Sequence, residues 1–203
     1  MEFLQHMFGA SGVEIVASTA GLLCVYLIIK RHMACWPVGL LQVILYIYVF
    51  YQAKLYSDMV LHIIYVFMQI YGWWYWAQDK QSHAGIQIVG LHYRTVLGWL
   101  VAVLLGSAIL GGVMNTYTNA DFAYGDAFTT VASLAAQWLL SRRMLANWLF
   151  WIAVDIVAIG IYWQKALIPT AVLYSLFFVM ACSGLGLWLA EYRRQNAPVP
   201  QEV

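Results

Sequence analysis

The chain has 203 residues, of which 64% are hydrophobic and 9% charged, and its mean hydropathy is +0.74. So little charge excludes an ordinary water-soluble domain, in which about 25% of residues are charged. A formal net charge of +1 without a long basic run excludes a nucleic-acid partner, which leaves the lipid bilayer and a small molecule.

Seven stretches approach the roughly 20 apolar residues that a membrane helix needs. Residues 1–12 form an N-terminal segment with Glu2 but no Lys or Arg before the first apolar run, so it lacks the positive flank of a cleaved signal peptide and the first span is expected to stay. That span runs from Val13 to Ile29. The second, Trp36 to Tyr51, carries Gln42 and Tyr46 one turn apart. In the third, Met59 to Trp76, His62, Tyr65, Gln69, Gly72 and Trp76 recur at spacings of three and four, with Trp73 beside them. His62 reads as a hydrogen-bonding interface residue rather than a proton relay.

The fourth span, Thr95 to Met114, has a smooth ridge of Gly98, Ala102 and Gly106, then Ser107 and Gly111, suited to close helix approach. The fifth, Phe122 to Leu140, places Gln137 shortly before Arg142. The sixth, Trp148 to Trp163, puts Asn147, Trp151 and Asp155 on one face, four residues apart. Tyr174, Ser175 and Ser183 mark the seventh, Thr170 to Leu189.

The joints between spans alternate in charge. Lys30, Arg31, Lys80, Arg94, Arg142, Arg143, Arg193 and Arg194 fall on one side, and Lys54 and Lys165 on the other. The positive-inside rule then predicts the N-terminus outside and the C-terminus inside.

Offsetting the chain by 112 residues lays Ala20–Trp76 over Ala132–Trp188 with 15 of 57 pairs identical, including Arg31/Arg143, Trp36/Trp148, Gln52/Gln164, Leu55/Leu167, Gly72/Gly184 and Trp76/Trp188. This predicts two three-helix repeats made parallel by the fourth helix between them, an all-α 3+1+3 membrane fold. The expected division is an N-terminal segment 1–12, repeat 1 over 13–78, a loop and linker helix over 79–120, repeat 2 over 121–190 and a cytoplasmic tail 191–203.

Chemistry in such a chain concentrates in polar groups inside spans, which lipid penalises and which therefore face a protein interior or water. Asp155 sits near mid-bilayer with no Lys or Arg central in any span, so a cationic ligand or a hydrogen-bonded network is its natural partner. Gln42, Tyr46, Tyr65, Gln69, Trp73, Gln137, Asn147, Trp151 and Tyr174 are the candidate lining residues around it. The repeat-1 counterparts of Asn147, Trp151 and Asp155 are Cys35, Gly39 and Val43. Such a cavity is asymmetric, suited to a molecule with a flat ring at one end and a sugar at the other, read by aromatic faces and amides.

Cys24, Cys35 and Cys182 are far apart and form no CxxC pair, so no disulfide framework, metal or cofactor is expected. There is no HExxH, GxSxG or Walker A sequence, hence no catalytic residues are assigned. None of the four lysines is placed to carry a retinal Schiff base. A transporter is the leading reading; a seven-helix receptor or sensor is the alternative.

Three motifs carry a resemblance: Phe50-Tyr51-Gln52-Ala53-Lys54-Leu55-Tyr56-Ser57-Asp58, Tyr71-Gly72-Trp73-Trp74-Tyr75-Trp76, and Gln137 followed by Asn147-Trp148-Leu149-Phe150-Trp151 and Asp155. From about Gly12 to Arg194 the chain resembles the PnuC nicotinamide riboside transporters. The resemblance implies a SWEET-like fold and a homotrimer in the bacterial inner membrane. It also implies facilitated diffusion of nicotinamide riboside, with retention by a cytoplasmic ribosylnicotinamide kinase. Other vitamin precursors, and coupling to protons or sodium, stay open at this point.

Overall fold

The computed structural model describes residues 12–54, 56–79, 86–118 and 121–197. Lys80, Leu55, most of the N-terminal segment and the end of the tail lie outside these ranges. Among the described residues seven helices follow in order: α1 Gly12–Ile29, α2 Cys35–Gln52, α3 Tyr56–Asp79, α4 Tyr93–Tyr117, α5 Ala123–Ser141, α6 Asn147–Gln164 and α7 Ile168–Gln195. Among the described residues the only extended pairing is an isolated bridge between Val89 and Met144.

The offset seen in the sequence reappears in the backbone. Adding 112 to the end of α1, to both ends of α2 and to the start of α3 gives the end of α5, both ends of α6 and the start of α7. The corners also repeat. After α1, Arg31 takes a left-handed φ of 54° while its N–H bonds the Ile28 carbonyl at 2.9 Å and the His32 N–H bonds Leu27 at 2.9 Å. After α5, Arg143 at φ 59° does the same with Leu140 at 2.8 Å, and Met144 with Leu139 at 2.9 Å. Lys54 and Ala166 turn the α2 and α6 ends in the same left-handed way. The corners at Arg31, Arg143 and Ala166 are Schellman caps, which satisfy terminal carbonyls and stop each helix. At the start of α7, Pro169 falls in the first turn, where its missing N–H costs nothing.

Helix neighbours run α1, α2, α3, α5, α6, α7 and back to α1, a closed ring of six, with α4 packed outside against α5. The α1–α7 and α3–α5 contacts that join the repeats are equivalents of one another under the offset. Five of the seven helices are long and apolar enough to cross a membrane by composition alone; α3 and α5 fall short. The reason for α5 is burial. It packs against α3, α4 and α6, and its buried face of Ala123, Ala127, Ala132, Ser133, Ala135, Ala136 and Gln137 uses small and polar residues where a lipid-facing helix would need large apolar ones.

Candidate functional site

The ring's interior is built differently by its two halves. In repeat 1, a Cβ on Gly39 would stand 2.5 Å from Gln69 Nε2, and one on Gly21 would stand 2.8 Å from Gln42 Nε2. The two glycines therefore make room for two amides. The offset pairs Gly39 with Trp151, and Gln69 with the buried Ala181. One half thus sets an amide where the other sets an indole, and a small residue in each half admits the large one. Trp151 is half-buried and packs against both hydrophobic clusters of the molecule.

Asp155 is only 4% exposed, and among the described residues no Lys or Arg pairs with it. Tyr174 from α7 lies within electrostatic reach of Asp155, and also of Tyr162, Tyr65 and Tyr46, so four phenols and one carboxylate share a region. Tyr65 faces Ser133 across the α3–α5 seam. Tyr46 bonds Ser18 Oγ at 2.9 Å and stacks on Phe50 with ring centroids 5.6 Å apart.

Asn147 is fully buried; its Nδ2 donates to the Met144 carbonyl at 2.7 Å, and its Oδ1 has no partner. Gln137, 6% exposed, has an unpartnered Nε2. One buried acceptor and one buried donor are therefore unused, an arrangement that is costly unless a ligand supplies the complement. Trp73 is 40% exposed and makes no ring contact with this group, so the structure does not bring it to the other nine. Among the described residues no group of three or more His, Cys, Asp or Glu could hold a metal ion.

Sequence reasoning missed part of the aromatic lining. Phe50–His62 (4.9 Å) and His62–Tyr65 (5.5 Å) in repeat 1 match Tyr162–Tyr174 (5.2 Å) and Tyr174–Phe177 (6.1 Å) in repeat 2, position for position under the offset. The signal was present in the repeat, since aromatic character survives at all three pairs although identity does not. His62 also bonds the Asp58 carbonyl through Nδ1 at 2.9 Å.

Residues 11–190 match the family model described as nicotinamide mononucleotide transporter. The chain belongs to this family. Among relatives, it is 26% identical to the nicotinamide riboside transporter PnuC of Escherichia coli (strain K12) over 94% of this chain and 90% of that one. With the PnuC of Neisseria mucosa the identity is 28% over 89% of this chain and 73% of the relative. The crystal structure of the vitamin B3 transporter PnuC superposes with a TM-score of 0.77 at 26% identity, covering 96% of this chain and 88% of that one. The nicotinamide mononucleotide transporter family is one of membrane transporters and not of enzymes. Its members are multi-pass membrane proteins, consistent with the helix ring described above.

Proposed function

We propose that this chain carries nicotinamide riboside across the bacterial inner membrane by facilitated diffusion. The observation that carries the choice of substrate is Asp155, a buried carboxylate; among the described residues the one buried cation is Arg143, at the α5–α6 corner and not in the middle of the ring. The family's description names a mononucleotide and its curated relatives a riboside, and charge distinguishes the two. A mononucleotide brings a phosphate that needs Arg or Lys, whereas the riboside brings a pyridinium cation and no phosphate. A carboxylate with aromatic faces suits the riboside.

In this reading Trp151 and Tyr174 offer faces to the ring, the Gln137 donor and the Asn147 acceptor suit a carboxamide, and Gln42, Gln69, Tyr46 and Tyr65 serve the ribose side. The end bearing Arg31, Arg143, Arg193 and Arg194 is cytoplasmic, which puts the N-terminus outside. The riboside is then trapped by a cytoplasmic kinase. A homotrimer belongs to the same reading: the outward face of α4 carries Leu105 and Ile109, 60% and 69% exposed, an apolar surface that a neighbouring protomer could cover.

The test is titration calorimetry on the purified protein with nicotinamide riboside, nicotinamide mononucleotide, thiamine and riboflavin. Saturable binding of the riboside alone is expected; preference for the mononucleotide would overturn the charge argument. In proteoliposomes, uptake that collapses when a proton or sodium gradient is dissipated would replace facilitated diffusion by coupled transport.

A further inference from the structure

At the basic end the ring interior is filled by tryptophan. Trp36, Trp76, Trp188 and Trp148 are each at most 2% exposed and touch in that order, with centroids 5.2, 6.1 and 5.6 Å apart. The middle contact, Trp76 with Trp188, joins one repeat to the other. Cross-repeat hydrogen bonds among the described residues gather toward this end, beginning with Ser141 Oγ donating to the Met68 carbonyl at 3.4 Å. Arg142 donates to the Tyr71 hydroxyl at 2.8 Å, Trp76 to the Leu140 carbonyl at 3.4 Å and Trp188 to the Ile28 carbonyl at 3.2 Å. At the opposite end the Lys165–Asp126 ion pair, 3.8 Å, stays within repeat 2.

The segment before α4 closes over this plug. Ile88, 6% exposed, belongs to the same buried cluster as the four tryptophans. Its N–H donates to Gln195 Oε1 at 3.1 Å, and Gln195 Nε2 donates to the Ile86 carbonyl at 3.2 Å and to Glu191 at 3.1 Å. Glu191 binds Arg31 at 3.0 Å in the other repeat. Val89 pairs with the 143–145 corner through bonds of 3.0 and 2.9 Å. One side chain, Gln195, therefore links the segment before α4 to α7 and, through Glu191, to the α1–α2 corner.

We propose that Ile86–Val89 is the bolt of a gate at the basic end: it holds Ile88 in the buried cluster of the four tryptophans, and its release from Gln195 precedes the parting of Trp76 and Trp188 that lets substrate leave. The proposal rests on the transport reading. Its structural half is read without any substrate, so the two can fail separately.

The experiment is cysteine accessibility in proteoliposomes. Ile88→Cys, in a Cys182→Ala background, is labelled by a membrane-impermeant maleimide added to each face in turn. Slow labelling is expected with Gln195 intact. Gln195→Leu is expected to raise the rate about fivefold to tenfold from the basic face only, the effect of losing about one net hydrogen bond, and to speed riboside counterflow without changing riboside affinity. Gly90→Ala makes the same test if Gln195→Leu does not fold, because a Cβ there would collide with the Tyr192 ring and lift the segment. Unchanged labelling in the folded variant, faster labelling from the opposite face, or faster labelling with unaltered counterflow would overturn the proposal.

Discussion

Trp76 and Trp188, 112 positions apart, each donate an indole N–H to a carbonyl of the opposite repeat, and the acceptors Leu140 and Ile28 are also 112 apart. Both acceptors are carbonyls of a Schellman cap and already receive an N–H from Arg143 or Arg31. A carbonyl has two lone pairs, so one oxygen closes its own helix and also ties the two repeats.

Replacing either indole should therefore cost more than area alone. Trp188→Phe keeps most of the ring and loses the hydrogen bond, for an expected loss of about 1 kcal/mol; Trp188→Ala is expected to lose about 3–5 kcal/mol through the cavity it leaves. Thermal unfolding in detergent measures both. Because Trp76 and Trp188 touch, the Trp76→Phe/Trp188→Phe double variant should depart from the sum of the single losses.

Gly72 lies under the Trp36 ring and Gly184 under the Trp148 ring, so closely that an added Cβ would collide with the indole. Both rings are enclosed and have nowhere to go. Gly72→Ala and Gly184→Ala should each destabilise by about 1–3 kcal/mol, to similar extents because the sites are equivalents. A large difference in melting temperature between the two variants would show that the repeats are not packed alike.

Ala166 holds φ 55° at the end of α6, a conformation that disfavours any side chain and that glycine adopts freely. Ala166→Gly should raise stability by about 1 kcal/mol with no change in riboside binding. A fall in melting temperature would mean that the turn is not strained.

Asp155→Asn keeps the shape of the side chain and removes its charge. Riboside affinity should fall about tenfold or more, the scale of a lost charge-assisted interaction, while affinity for an uncharged analogue of the same shape changes less. Trp151→Ala should weaken both ligands alike, since it removes a stacking face. Unchanged riboside affinity in both variants, with the protein monodisperse, would remove the site from this wall.

Much of the fold was legible in the chain because lipid imposes one-dimensional rules. Backbone groups must be satisfied within each span, so apolar length marks helices, and an internal offset preserved Trp36, Gly72, Trp76 and their partners. Asp155 and Asn147 were visible for the same reason, since polar residues in spans stand out. Hydropathy rates α5 poorly because it is enclosed by α3, α4 and α6, and only neighbouring helices make such a helix acceptable.

The sequence by itself determined the helices, their parallel repetition and the list of polar groups, because each depends on residues near one another in the chain or on a fixed offset. Only the tertiary structure decided that Gln69 fills the space beside Gly39 and that Trp73 stands apart from the other site residues. It also decided that Ile88 reaches the tryptophans from a segment with no periodic signal. Those contacts depend on which helix faces which around the ring, and that follows from shape complementarity between distant side chains.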